Sequence, residues 1–149
     1  MSVIRNRVVI SSFFLNAITE DMVTWKTYPL KEVNYVLNVG VKAEVLQEFA
    51  NLVKWDLSFI AKVIGVTKQS LIKNKNQRLN KLASEQVIEI AKLIDFGTDY
   101  FGSIDNFNDW LGVSHIRLNG QPPRAFIDTI RGRELIKELI NGLKYGFCS

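Results

Sequence analysis

"WDLSFIAKVIGVTKQSLIKNKNQR", residues 55–78, decides how the rest of the chain is read. Phe59, Ile60, Val63 and Ile64 recur at three- and four-residue spacing, which places them on one face of a helix. Asp56 or Ser58 is positioned to cap its start. Gly65 ends it, because glycine takes the left-handed conformation without steric penalty. Thr67 carries a hydroxyl suited to accept from first-turn amides, which predicts a short second helix running to about Asn74. Ala61 is small enough for the two helices to cross closely. Val66 fills the space beneath the turn, and Leu71 and Ile72 are expected to face inward.

A helix, a tight glycine turn and a second short helix form the helix-turn-helix pattern. Its outward positions are Lys68, Gln69, Ser70 and Lys73, followed by Lys75, Arg78 and Lys81. The whole chain carries net charge +4, but between Leu57 and Ser84 there are six bases and no acid. Such a block is an electrostatic footprint for a polyanion, whose phosphates any carboxylate there would repel. The second helix is expected in the DNA major groove, with Lys68 suited to guanine and Gln69 to adenine. Lys73, Lys75, Arg78 and Lys81 would neutralise phosphates. A solvated basic face on a plain helical core is the competing reading.

Working outward, the pattern is helical from Ala43 onward. Val45, Leu46, Phe49, Ala50, Leu52 and Val53 form one apolar stripe. Ser84 is expected to cap a long helix, Glu85 to about Phe101, closed by Gly102. "IDNFNDWLG" predicts a short helix capped by Asp105, and "LNGQPPR" a turn. Pro123 can begin another helix. Thr129 caps the last, whose Leu135, Ile136, Leu139, Ile140 and Leu143 share a face. Residues 1–40 read differently. "RVVISSFFL" and "NYVLNVGV" favour short strands or an extended arm, and Pro29 is expected to break any helix around it. The expected fold is mainly α: an N-terminal arm at 1–40, a helix-turn-helix at 41–82 and a small helical domain with a tail at 83–149.

The composition bounds the chemistry. At 149 residues and 47% hydrophobic the chain can bury a core. Its one cysteine, Cys148, permits no internal disulfide, which suits a reducing cytosol, and it has no base partner to make it a nucleophile. No apolar run approaches the ~20 residues of a membrane span. The N-terminal apolar stretch lacks the uninterrupted core and cleavage site of a signal peptide. His115 is the single histidine, without partners at ligand spacing, so it reads as a turn residue rather than a zinc ligand. Asp95, Asp99, Asp105 and Asp109 do not match a calcium loop and read as helix caps or solvated groups. Ser11-Ser12 lack a nucleophile elbow, and no glycine loop cradles phosphate. The expectations are therefore no metal, no cofactor and no enzymatic activity.

The C-terminal half carries a more specific set of motifs. Phe101-Gly102, Trp110, Asn119-Gly120, Pro122, Thr129, Gly132 and Tyr145-Gly146 stand in an order and spacing that resemble the toxin-binding domain of the Xre/MbcA/ParS-like antitoxins. With the preceding helix-turn-helix, the resemblance runs from about Val41 to Gly146. Most of these residues have a structural reason to be there: Gly102 caps a helix, Trp110 fills a core gap, and Gly132 lets another backbone come close.

The resemblance implies a cytoplasmic antitoxin of a type II toxin–antitoxin pair. Its partner would be a RES-domain toxin that consumes NAD+. The antitoxin's C-terminal region would occlude the NAD pocket, and the protein would bind operator DNA and repress its own operon as a homodimer within a larger complex. The tail Lys144, Tyr145, Gly146, Phe147, Cys148 and Ser149, with the turn at Asn119 and Gly120, is then the expected toxin-binding surface. Tyr145 and Phe147 suit a cleft shaped for a nucleotide, and the terminal carboxylate suits groups that otherwise hold phosphate. The recognition helix is poor in arginine and residues 1–40 exceed the minimal family plan. The alternative is a stand-alone transcription regulator whose C-terminal half is a dimerisation or effector module.

Overall fold

A computed structural model describes residues 13–19 and 29–146. Eight α-helices follow in order among the described residues: α1 Phe13–Ile18, α2 Pro29–Asn38, α3 Val45–Val53, α4 Leu57–Ile64, α5 Lys68–Lys73, α6 Lys81–Phe101, α7 Ile104–Leu111 and α8 Ile130–Lys144. Two 3-10 turns, Ile116–Leu118 and Pro123–Phe126, lie between α7 and α8. The mainly helical expectation holds.

The long helix α6 is the beam on which the others rest. Val87, Ile88, Ile90, Ala91, Leu93 and Ile94 are buried along it, so more than one face meets other elements. Helices α1, α2, α4, α7 and α8 all pack on it. One apolar cluster runs from Phe14 of α1 through Leu46 and Phe49 of α3 and Ile60 of α4 to Phe107 of α7 and Ile140 of α8.

The N-terminal arm is where the sequence reading fails. The parts of 1–40 that the structure describes are helical, not strand-like; residues 1–12 and 20–28 lie outside the described residues. Helix α1 buries Phe14 and Leu15, with Ile18 one turn on, against α3 and α6. Burial of that stripe outweighs the weak strand preference of its aromatic residues. Pro29 does not break a helix but opens α2, where its missing N–H costs nothing.

Several helix starts also shift. Helix α6 begins at Lys81 and is capped by Asn80, whose side chain accepts from the Ala83 amide at 2.8 Å. Ser84 is instead buried in the first turn. Its hydroxyl accepts from the Val41 amide at 2.9 Å and donates to the Leu79 carbonyl at 3.2 Å. Ser103, not Asp105, caps α7 by accepting from the Asn106 amide at 3.0 Å. Asp56 stands at the N-cap position of α4 without a side-chain cap bond. Pro123 opens only a 3-10 turn. Ile72, expected inside, is 57% exposed, whereas Leu71 is buried as expected.

Other local expectations hold. Gly65 and Gly102 close α4 and α6 in the left-handed conformation, at φ 82° and φ 92°. Thr67 caps α5 and Thr129 caps α8 through their hydroxyls. Gly132 is enforced by a backbone: a Cβ there would overlap the Phe126 carbonyl.

Candidate functional site

The basic surface is built by α5 and the segment after it. The α4–α5 connection, Gly65 to Thr67, is closed by the Val66 amide donating to the Ala61 carbonyl at 2.9 Å. Buried Ala61 and Leu71 hold the two helices together. Lys68, Gln69, Lys73, Lys75 and Arg78 are all exposed. Ser70 is half-buried and engaged: its amide donates to the Thr67 hydroxyl at 3.0 Å, and its own hydroxyl donates to the Thr67 carbonyl at 2.8 Å.

The chain after α5 is pinned rather than loose. The Glu44, Ala43 and Leu79 amides donate to the carbonyls of Lys75, Gln77 and Val41 at 2.9, 2.9 and 2.7 Å. Arg78 adds a bond from its guanidinium to the Gly40 carbonyl at 2.8 Å, so it also fastens this junction. The basic side chains therefore project from a fixed backbone, which limits the conformational freedom they lose on meeting a ligand.

The second surface lies at the other end of the sequence. Helix α7 packs on α6 through a ring stack: Phe107 lies stacked against Phe101 at 5.9 Å between centroids and against Trp110 at 6.3 Å. Phe107 also presses on Gly97, where a Cβ would collide with its ring. Trp110 is thus half-buried packing, as its sequence context suggested.

After α7 the chain folds into a tight double turn. The His115 amide donates to the Gln121 carbonyl at 3.1 Å, and the Gly120 amide returns to the His115 carbonyl at 3.0 Å. His115 Nδ1 accepts from the Arg117 amide at 3.2 Å, the turn role expected of it. Asn119 and Gly120 both adopt positive φ, 57° and 81°. Such a pair is readily supplied by Asn-Gly. Leu118 is buried beneath the turn, while Ile116 is 87% exposed.

Helix α8 is docked by Arg133. This side chain is only 5% exposed. It donates to the Ile127 carbonyl at 2.9 Å and to Gln86 Oε1 at 2.5 Å, tying the start of α8 to α6. Helix α8 ends at Lys144, whose ammonium lies 4.9 Å from the Phe96 ring centroid. Tyr145 is 63% exposed and Gly146 turns with φ 70°. Phe147, Cys148 and Ser149 lie outside the described residues.

Arg124 and Asn108, which the sequence reading did not single out, link the two surfaces. Arg124 stacks over Phe59 of α4 at 4.0 Å and over Trp55 at 5.7 Å. Burial pushes the pKa of the Arg124 and Arg133 guanidiniums below the ordinary value. Nearby carboxylates oppose that shift, Asp56 for Arg124, and Glu89 and Asp128 for Arg133. Asn108 of α7 accepts from the Trp55 indole at 2.7 Å and donates to the Val53 carbonyl at 2.9 Å. Asp95 accepts from the Phe14 and Leu15 amides at 2.9 and 3.0 Å, capping α1 from 80 residues away. The sequence reading of Asp95 as a helix cap or solvated group therefore holds in its first form, although the helix it caps is distant in sequence.

Among the described residues no helix is long and apolar enough to cross a membrane. No group of three or more metal-ligating side chains occurs among them either. No curated protein and no solved structure matches the chain. Residues 97–146 do match one family, the antitoxin Xre/MbcA/ParS C-terminal toxin-binding domain. The match begins at the glycine beneath Phe107, takes in the ring stack, the double turn and α8, and ends at Gly146. Residues 97–146, the C-terminal third of the chain, are thus similar to the toxin-binding domain of the Xre/MbcA/ParS antitoxins.

Proposed function

We propose that this antitoxin inhibits a RES-type, NAD+-consuming toxin by placing its C-terminal tail against the NAD pocket, and that it represses its own operon through α4 and α5. The observation that carries the toxin reading is the toxin-binding domain match over residues 97–146. Tyr145, near the end of that match, is exposed, an aromatic anchor followed in sequence by Phe147. Lys144 and Gly146, with Asn119 and Gly120 of the double turn, belong to the same proposed surface.

The repression reading rests on the basic surface. Lys68 and Gln69 lie at the start of α5, where a recognition helix meets base edges. Lys73, Lys75 and Arg78 follow as phosphate contacts. Ser70 then acts by holding the first turn. A homodimer fits α2, which buries no residue and shows Leu30, Val33 and Leu37 on one exposed stripe. The lone cysteine suits a cytoplasmic setting. A toxin-binding domain favours this reading over a stand-alone regulator.

The test is truncation from Tyr145 onward, with NAD+ consumption by the toxin encoded beside this chain as the readout. We expect the truncated chain to release toxin activity while still binding the toxin more weakly. Undiminished inhibition by the truncated chain overturns tail insertion.

A further inference from the structure

We propose that the double turn at 115–121 is a second toxin-docking element, with Ile116 as an apolar anchor that acts separately from the tail. The inference rests on the toxin-binding reading above and adds a contact residue to it.

Ile116 is the most exposed of the large hydrophobic side chains among the described residues, at 87%. Single exposed apolar residues are common and need no explanation. This one differs in how it is held. Its neighbours on both sides are fixed: the Leu118 amide donates to the His115 carbonyl at 2.9 Å, and the Gln121 amide to the Leu118 carbonyl at 3.1 Å. Leu118, two residues on, is buried as the plug that seats the turn. The Asn119 amide closes back on the Ile116 carbonyl itself at 3.2 Å. The fold thus commits five backbone bonds and a buried leucine to presenting one branched aliphatic side chain to water.

A rigid apolar projection is what a protein partner with a matching pocket uses. The ordering cost is met before binding, and desolvating a β-branched side chain supplies the driving force. Val113, 59% exposed, is a second large apolar side chain left in water just before the turn in sequence. The occupant follows from position: Val113 and Ile116 both lie inside the domain matched as toxin-binding, and no described element of this chain covers them.

The experiment titrates full-length chain against the toxin encoded beside it, made catalytically silent, in three forms: wild type, Ile116→Asp and Ile116→Leu. We expect Ile116→Asp to weaken binding about thirtyfold, the loss typical of one interface anchor, and Ile116→Leu to restore most of it. Hydrogen exchange on the wild type provides a readout without substitution: the amides of residues 115–121 should slow when toxin is added. Unchanged affinity in Ile116→Asp, or unchanged exchange in the turn while wild type binds, overturns the docking element and leaves the toxin reading standing. Absence of any wild-type binding overturns both. The truncation from Tyr145, run in the same titration, separates the tail from the turn: additive losses support two docking points, and no further loss from Ile116→Asp in the truncated chain refutes a separate one.

Discussion

Helix α5 and the double turn after α7 both leave the core through residues at positive φ, Gly65 in one case and Asn119-Gly120 in the other. What they show to solvent is opposite. The first offers Lys68 and Lys73 on a short helix and Lys75 just after it, with no acid near in sequence. The second offers Val113 and Ile116 on a turn locked by backbone bonds. On the proposed reading, the difference teaches how one small core presents surfaces to two classes of partner. A polyanion is gripped by long-range charge, which tolerates mobile side chains. A protein cleft needs an apolar group fixed in place, because its gain comes only from close packing. Both surfaces stand on one apolar cluster, and Arg124 and Asn108 brace one half directly against the other.

The largest expected effect breaks the comparison by removing the shared core. Gly132→Ala drives a Cβ into the Phe126 carbonyl, a backbone atom that cannot swing aside. We expect a stability decrease of about 3 kcal/mol in denaturant unfolding. Toxin binding and DNA binding should then fail together; failure of one alone would mean that the halves fold independently.

Next is Asp95→Ala, which strands two α1 amides in a buried site. We expect about 2 kcal/mol of destabilisation, with faster exchange at Phe14 and Leu15. Asp95→Asn keeps an acceptor and should recover part of the loss. Unchanged stability in Asp95→Ala would remove α1 from the core.

Arg124→Ala tests the brace itself. Removing a partly desolvated cation–ring pair should cost about 1 kcal/mol, and the measurement is the melting temperature of each half by site-specific probes. A shift confined to residues 97–146 would show that Arg124 does not support α4.

Lys73→Glu with Lys75→Glu sharpens the contrast without touching the fold. Binding to upstream DNA should weaken for all sequences, and the salt slope should fall by ~1 for each phosphate no longer neutralised. Toxin affinity and melting temperature should not move. The smallest effect is expected from Lys54→Ala. Its 2.7 Å pair with Asp105 joins the two halves, yet both side chains are more than half exposed. We expect below about 0.5 kcal/mol, because solvent screens such pairs.

Much of the fold was legible because it is local. The caps Thr67 and Thr129, the glycine stops Gly65 and Gly102 and the apolar spacing of α3, α4 and α8 are decided within a few residues of chain. The motif order from Phe101 to Gly146 was enough to point to the antitoxin family, and the matched residues 97–146 cover it. Errors fell where local choices were degenerate. Asn80 and Ser84 are both competent caps, and only the burial of Ser84 against Val41 decided between them. Ser103 and Asp105 posed the same choice for α7.

The sequence determined the helices from α3 onward, the glycine turns between them, the uneven charge and the family likeness of the C-terminal third. Tertiary structure alone decided that residues 13–18 are a helix, that Asp95 caps it, that Arg133 is buried between α6 and α8, and that Ile116 stands clear of the core. The physical reason is range. Propensity and capping act over one turn of chain. Whether a carboxylate, a guanidinium or an isoleucine is buried, paired or left in water depends on segments that meet only after folding.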